Sequence, residues 1–162
     1  MDIKIENWEL RKVAFVRHLG PYEECGTAWD RICTWAAPKG LLAGGPEMFG
    51  ISYDDPETTP PEKIRYDACL RVEDDIEPEE DIGLQEIAGG TYVVATHEGS
   101  YADFSQTYSY LYADYIPANQ WECRDAPCVE IYLNDPNSTP PEDLVSLLCI
   151  PVTKKTSGEV SG

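Results

Sequence analysis

Residues 53–63 read YDDPETTPPEK, and residues 133–143 read LNDPNSTPPED. In both stretches Asp-Pro, two small hydroxyl residues, Pro-Pro and Glu follow one another in the same order and at the same spacing. The stretches begin 80 positions apart (133 minus 53) in a chain of 162 residues. Recurrence at one fixed spacing indicates an internal duplication, which determines how the rest of the chain is interpreted.

The segments ahead of these stretches repeat as well. Residues 13–24 (VAFVRHLGPYEE) match residues 92–103 (YVVATHEGSYAD), 79 positions further on, with His, Gly and Tyr at equivalent places. An apolar run ahead of Gly is typical of a strand that ends in a turn. The apolar residues that follow have the spacing of one helical face in both copies. They are Tyr22, Cys25, Trp29, Ile32, Cys33 and Ala36 in the first copy, and Tyr101, Phe104, Tyr108, Leu111, Tyr112 and Tyr115 in the second.

Two further strands are predicted after each helix. Residues 47–53 (EMFGISY) and 128–133 (CVEIYL) precede the repeated stretch, and residues 63–72 (KIRYDACLRV) and 143–152 (DLVSLLCIPV) follow it. The predicted fold is therefore α+β, a tandem pseudo-two-fold repeat of strand–helix–strand units. It has a mostly antiparallel sheet, two main helices and a central ligand groove.

The expected domain organisation is simple. Residues 1–152 should form a single domain, made of two repeats at about 3–75 and 82–152. Residues 73–83 (EDDIEPEEDIG) carry seven acidic residues and are interpreted as a solvated connector. Residues 153–162 are expected to be a flexible tail.

The chain is strongly acidic. Thirty Asp and Glu against 12 Lys and Arg give a formal net charge of −18 at pH 7. Such a surface repels nucleic-acid phosphates, so we expect no direct nucleic-acid binding. The same field concentrates cations near an acidic cleft. The N-terminus has no apolar signal-peptide core and the chain has no long apolar run, which predicts a cytoplasmic protein without a membrane partner.

The cysteines and histidines fit structural roles. Cys69 and Cys149 are equivalent in the repeat, which favours packing, and no Cys-x-x-Cys spacing occurs among the six cysteines. We expect reduced thiols, no metal and no cofactor. His18 and His97 are also equivalent. A catalytic histidine would more naturally stand in one copy alone, so their duplication indicates a role in the turns.

The copies differ at one informative place. Aligning FGISYDDP with VEIYLNDP puts Glu130 at the position of Gly50, and Tyr132 at the position of Ser52. Strand alternation places Glu130 and Tyr132 on the face opposite the apolar residues between them. One copy therefore presents a carboxylate and a phenol where the other presents almost nothing.

Several stretches together resemble the GyrI-like, or AraC effector-binding, family. They are MFGISYDDPETTPPEKIRYDACLRV, HEGSY and PCVEIYLNDP, and the resemblance covers roughly residues 3–152. It implies a standalone small-molecule-binding module whose two strand–helix–strand units share a sheet with a central groove. The position of Glu130 resembles that of the cation-neutralising acid in multidrug-sensing members. No helix-turn-helix pattern accompanies the module, so operator binding is not expected.

These observations give the main functional hypothesis. The chain would bind amphipathic, cationic aromatic small molecules, for drug sensing or sequestration, in a groove centred on Glu130. The carboxylate would supply the charge, and aromatic faces would supply stacking and cation–π attraction. The candidate ligand-binding residues are Glu130, Tyr132, Tyr108, Tyr112, Trp29 and Trp35.

Two alternatives remain open. One is a hydrolase of cyclopropane-bearing DNA-alkylating compounds, like enzymes that resemble the family. Glu130 would then orient or deprotonate water, and Tyr132 or Tyr112 would stabilise the developing oxyanion. The other is an interaction protein that modulates gyrase, or a regulator, through its acidic surface.

Overall fold

The computed structural model describes residues 2–21, 24–43, 47–54, 58–72, 77, 79, 81–134 and 138–155. The strands are β1 Ile3–Trp8, β2 Arg11–Leu19, β3 Met48–Ser52, β4 Arg65–Arg71, β5 Gly83–Ile87, β6 Gly90–Glu98, β7 Trp121–Cys123, β8 Cys128–Tyr132 and β9 Val145–Lys154. The helices are α1 Gly26–Ala36, α2 Phe104–Tyr110 and α3 Ile116–Ala118, with a π-helical segment Leu111–Tyr115 between the last two.

The α+β fold class and the order of elements are confirmed. Every strand pairing among the described residues is antiparallel, and α1 and α2 are the main helices. The short β7 was not predicted, because three residues are too few for an alternation signal. It pairs with the end of β9, which runs to Lys154. Thr153 and Lys154 are therefore strand residues rather than the start of the predicted tail, and residues 156–162 lie outside the described part.

Contacts divide the chain into two units. The first, here called the α1 unit, comprises Glu9–Gly89 and Pro127–Ile131, and its strands pair in the order β8-β3-β4-β2-β5. The second, the α2 unit, comprises Met1–Trp8, Gly90–Ala126 and Tyr132–Gly162, and contains β1, β6, β9 and β7.

The first strand of each predicted repeat pairs with a strand of the other repeat. Although only two residues connect β1 to β2, β1 pairs with β6 of the second copy, and β5 pairs with β2 of the first. The units are therefore not the contiguous halves at 3–75 and 82–152. Side-chain contacts hold the exchanged strands in place. Trp8 of β1 stacks on Tyr92 of β6 with ring centroids 4.0 Å apart, and Arg124 lies 5.1 Å from the centroid of the same Tyr92 ring.

The core of the α1 unit follows from the helical periodicity of α1 and the residue-by-residue alternation of the strands. Ile32, Trp35 and Ala36 of α1 pack on the even-numbered residues of the sheet, since alternate strand residues share a face. These sheet residues are Ala14, Val16, Tyr66, Ala68 and Leu70, all buried. The odd-numbered residues of β2, β3 and β4 therefore lie on the opposite face.

The turns after β2 and β6 repeat bond for bond. Nε2 of His18 lies 3.0 Å from the Pro21 carbonyl oxygen, and Nε2 of His97 lies 3.0 Å from that of Ser100. Gly20 and Gly99, one residue before these carbonyls, have φ of 131° and 120°, which other residues rarely adopt. Both histidines therefore stand near the ends of their strands and contact the turns that follow, which agrees with the predicted role in the turns.

The repeated Pro-Pro stretches also share backbone bonds. Tyr53 N–H donates to the Arg65 carbonyl at 3.3 Å, and the equivalent Leu133 N–H donates to the Val145 carbonyl at 3.0 Å. Residues 55–57 and 135–137, which carry the Asp-Pro pairs, lie outside the described part of the chain. The same is true of Tyr22, so its predicted equivalence with Tyr101 is not described.

Tyr112 is less buried than the predicted apolar stripe of the second helix implies. Leu111 is fully buried, whereas Tyr112 is 43% exposed. One helical residue is a rotation of about 100°, which places Tyr112 at the margin of a stripe centred on Leu111. The structure also shows a π-helical segment here, which the sequence did not predict.

The acidic connector is partly anchored. Arg31 of α1 contacts Asp81 at 2.5 Å and Glu79 at 3.3 Å, and Ile82 is buried in the α1 core. Glu79 and Asp81 are exposed, in agreement with a solvated connector, whereas the buried Ile82 departs from that interpretation. Among the helices of the described part, none is long and apolar enough to cross a membrane.

Candidate functional site

Glu130 is a buried carboxylate in the α1 unit. It stands in β8, where its cross-strand partner in β3 is Gly50, and it is only 6% exposed. The residues beside it in β8, Val129 and Ile131, pair with Ile51 and Phe49 on the other face. The alternation inferred from the sequence is therefore present, and the carboxylate points to the face that α1 covers.

Small residues stand next to Glu130 on that face. The cross-strand pairs Val16–Ala68, Ala68–Gly50 and Gly50–Glu130 form one continuous row across β2, β4, β3 and β8. Residues paired directly in antiparallel strands project side by side. The two positions nearest to the carboxylate in this row thus carry a hydrogen and a methyl group as side chains.

Ser52 provides a hydrogen-bond donor that the comparison of the two copies did not predict. Its hydroxyl donates to Oε2 of Glu130 at 3.3 Å. A buried carboxylate needs hydrogen-bond donors, because transfer of a charge out of water is costly. The expectation that the first copy presents almost nothing at the positions of Glu130 and Tyr132 is therefore wrong at Ser52, the equivalent of Tyr132, which presents a hydroxyl.

An aromatic pair lies on the same face. Tyr66 is the cross-strand partner of Ser52 and is 2% exposed. Trp29 of α1, which is half-buried, donates its Nε1–H to the Tyr66 hydroxyl at 3.2 Å, with the rings edge to face at 6.5 Å. The α1 unit thus assembles a carboxylate, a serine hydroxyl, a phenol and an indole around a row of small residues.

Trp35 packs elsewhere in the same unit. It is 4% exposed within the α1 core, and Nζ of Lys39 lies 5.5 Å from the centroid of its ring. These contacts are those of a core residue. Its assignment as a ligand-binding residue stays a prediction from the sequence.

The other candidate residues form an aromatic series in the α2 unit. Ring centroids are 5.4 Å apart for Tyr132–Tyr101, 5.3 Å for Tyr101–Phe104, 6.5 Å for Phe104–Tyr108 and 6.2 Å for Tyr108–Tyr112. The structure thus connects Tyr132, Tyr108 and Tyr112 through Tyr101 and Phe104. Tyr101 and Phe104 belong to the predicted helical stripe but were not predicted as ligand-binding residues.

A buried polar network in the α1 unit was missed altogether. Asp67 is fully buried, and Arg17 donates to its two oxygens at 2.8 and 2.9 Å. Tyr53 donates its hydroxyl to Asp67 at 2.6 Å, and the side-chain amide of Gln85 donates at 2.8 Å. A signal for it existed in the repeat, since Thr96, Leu133 and Leu147 stand at the positions equivalent to Arg17, Tyr53 and Asp67.

This network favours fixed protonation states. Burial raises the pKa of Tyr53 to about 12, and the hydrogen bond to the Asp67 carboxylate acts in the same direction. The hydrogen bond to Asp67 also raises the pKa of the Arg17 guanidinium above its usual value. Tyr53 therefore stays neutral and Arg17 stays charged at physiological pH.

The raised pKa predicts how stability depends on alkaline pH. The unfolded phenol has a pKa near 10, so the contribution of Tyr53 is fully present below about pH 10 and is lost as pH rises through about 12. We expect the free energy of unfolding to fall over this range in the wild type and to fall less in Tyr53→Phe. Urea titrations at several pH values measure the free energy of unfolding. An equal fall of this free energy with pH in both proteins would contradict the prediction.

Metal and disulfide chemistry find no support in the described residues. No group of three His, Cys, Asp or Glu side chains within that part of the chain is placed to hold a metal ion. All six cysteines are free thiols, and Cys69 and Cys149 are buried. Burial raises the pKa of Cys69 well above its usual value, as expected of a packing residue.

Comparison with known proteins decides the family. A model of the GyrI-like small molecule binding domain matches residues 1–153. The chain belongs to the GyrI-like family. The resemblance found in the sequence is confirmed, and the domain is a small-molecule-binding domain of this family.

Relatives of this GyrI-like domain have different names. A protein of Escherichia coli K12 named "Probable transcriptional regulator YgiV" is 31% identical over 137 residues, which cover 83% of this chain and 85% of that protein. A protein of the same organism named "DNA gyrase inhibitor" is 30% identical over 139 residues, covering 83% and 87%.

Solved structures share the fold at low sequence identity. A conserved protein from Listeria innocua matches with a TM-score of 0.74 and 15% identity, covering 94% of this chain and 92% of that one. The structure of SAV2435 bound to tetraphenylphosphonium matches with a TM-score of 0.57 and 13% identity, covering 94% of both chains. Both likenesses support the GyrI-like fold.

Proposed function

We propose that this GyrI-like domain binds amphipathic, cationic aromatic small molecules, with Glu130 as the counter-ion. The observation that carries the proposal is the burial of Glu130, 6% exposed, beside Gly50 and in the same cross-strand row as Ala68. Charge–charge attraction is stronger at a buried site than in water, so a carboxylate on this face can serve as the charge partner of a ligand cation.

The neighbouring groups suit a flat or propeller-shaped cation. Ser52 orients the carboxylate through its hydroxyl, and Tyr66 fixes the edge of the Trp29 ring. Half-buried indole rings attract cations through the face of the ring. The net charge of −18 raises the local concentration of cations but selects no shape, so recognition would rest on these side chains.

A pair of ions of one shape and opposite charge tests the proposal. We expect tetraphenylphosphonium to bind at micromolar to millimolar concentration and tetraphenylborate, its anionic counterpart, to bind far more weakly. Isothermal titration calorimetry measures both. The comparison should be repeated at high salt, because screening removes the long-range field but spares a buried pair. Equal affinity for the two ions, or selectivity that disappears with salt, would refute a buried counter-ion.

A further inference from the structure

β1 forms one edge of the sheet in the α2 unit. It pairs with β6 on one side, and no strand of the described part of the chain pairs with its other side. The strand is not shortened or bulged, since all six residues from Ile3 to Trp8 pair in register with β6. An open edge of this kind presents backbone N–H and C=O groups to which another molecule can add a strand.

The hydrogen-bond pattern shows which residues of β1 face the open edge. The Thr96 N–H donates to the Asp2 carbonyl at 2.8 Å, so these two residues form a hydrogen-bonded pair of the ladder with β6. Such pairs alternate along antiparallel strands. The even-numbered residues of β1 therefore bond to β6, and the backbone groups of the odd-numbered residues Ile3, Ile5 and Asn7 point to the open edge.

The side chains along this edge are accessible and differ in charge. Ile5 is 41% exposed, and Lys4 and Asn7 are exposed as well. Glu6 is half-buried, and its carboxylate accepts the Nε1–H of Trp8 at 3.0 Å, which orients it. A basic and an acidic side chain thus flank an exposed isoleucine, and strand alternation places the two charges on one face.

This order of residues is complementary to itself. When two antiparallel copies of β1 meet with Ile5 opposite the partner's Ile5, Lys4 stands opposite the partner's Glu6 on both sides of the two-fold axis. The same register places Ile3 opposite the partner's Asn7, so the outward-facing backbone groups meet one another. About six hydrogen bonds then form, two for each of three residue pairs.

The neighbouring registers are unfavourable. A shift by one residue brings groups that are already bonded to β6 opposite the open groups of the partner. A shift by two residues keeps the open groups together, but it places Lys4 opposite the partner's Lys4, or Glu6 opposite the partner's Glu6. Like charges directly opposite each other destabilise an antiparallel pair. The charges of β1 therefore select one register.

We propose that β1 is a self-association surface, and that it takes β1 of a second copy of this chain in an antiparallel pair centred on Ile5. A strand pair of this length buries less than the roughly 800 Å² per partner of a standard interface, so the dimer forms at micromolar to millimolar concentration. The net charge of −18 on each copy opposes association at low ionic strength, and about 0.15 M salt screens this repulsion. The proposal does not depend on cation binding.

Reversing the two charges tests the register. Lys4→Glu and Glu6→Lys each place like charges opposite each other twice in the dimer, so each variant alone should dimerise about tenfold more weakly than the wild type, or less. An equimolar mixture of the two variants should restore dimerisation, because every acidic side chain of one variant then faces a basic side chain of the other. Sedimentation velocity over a range of concentrations measures the dissociation constants.

Two controls separate the edge from net charge and from misfolding. Lys63→Glu, at an exposed position of the α1 unit, changes net charge as Lys4→Glu does and should dimerise like the wild type. In the wild type, a rising protein concentration should protect the Ile5 amide from hydrogen exchange, whereas β6 protects the Lys4 amide at every concentration. A wild type that stays monomeric, assemblies larger than dimers, or a mixture that dimerises no better than either variant alone would overturn the proposal.

Discussion

Replacing Arg17 by Ala should lower the free energy of unfolding by about 3 kcal/mol, because it leaves the carboxylate of Asp67 buried without its cation. Asp67 is 0% exposed and receives two hydrogen bonds from Arg17. The expected loss is at the lower end for a broken buried pair, since the Arg17 side chain is itself 43% exposed and since Tyr53 and Gln85 still donate to Asp67. Urea unfolding followed by circular dichroism measures the change, with an unaltered m value.

The second copy supplies a matched control. Thr96 and Leu147 form the ladder pair equivalent to Arg17 and Asp67. The double variant Arg17→Thr with Asp67→Leu removes both charges and should recover most of the lost stability, because it leaves no buried charge without its partner. In the wild type the Tyr53 hydroxyl also lies 3.3 Å from Oε1 of Gln85 and can donate to it, a bond that does not involve Asp67. A double variant less stable than Arg17→Ala would show that the carboxylate itself is needed.

Replacing Glu130 by Gln should weaken the binding of tetraphenylphosphonium by about 1–3 kcal/mol, the range for interactions with a desolvated charge. The affinity for tetraphenylborate should stay level or rise, because the repelling carboxylate is gone. Gln keeps the shape and an acceptor oxygen for the Ser52 hydroxyl and removes a charge that is costly to bury, so the free energy of unfolding should stay level or rise. Calorimetry with both ions and a urea titration measure the three quantities.

The change of net charge alone must be excluded as the cause of weaker cation binding by Glu130→Gln. Glu98→Gln removes one charge from an exposed residue of β6 and should leave the binding of both ions nearly unchanged, since exposed charges are strongly screened. If Glu98→Gln and Glu130→Gln lower cation binding equally, Glu130 is not the counter-ion. If Glu130→Gln abolishes hydrolysis of a cyclopropane-bearing alkylator while that compound still binds, the hydrolase hypothesis replaces simple binding.

Much of the fold could be predicted because it depends on local patterns. The spacing of 79 and 80 residues gave both helices and most strands, and period-two alternation placed Glu130 on the face opposite Val129 and Ile131. The strand exchange could not be predicted in the same way. β2 and β6 are equivalent strands, so the sequence does not specify which of them receives β1. Two-residue links such as Glu9-Leu10 normally indicate a hairpin, and here they do not form one.

The site was predicted less completely for an identifiable reason. Glu130 is distinguished from Gly50 by comparing β8 with β3, whereas Asp67 is distinguished from Leu147 only by comparing β4 with β9. Arg17 likewise differs from its counterpart Thr96 in the comparison of β2 with β6. Solvent exposure is a different matter, since Tyr112 stands at the margin of its stripe, where spacing alone does not decide burial.

The pairing of Gly50 with Glu130 has a consequence for the descent of the chain. These residues are equivalent in the repeat and also face each other directly across one ladder. If the predicted duplication arose by fusion, two identical half-length polypeptides would have exchanged their first strands before it, and any residue at this position would have faced its own copy. A glutamate there would have met a second glutamate, and like charges directly opposite each other are destabilising. On that history, a single carboxylate opposite a glycine became attainable only once the two halves were joined and could differ in sequence.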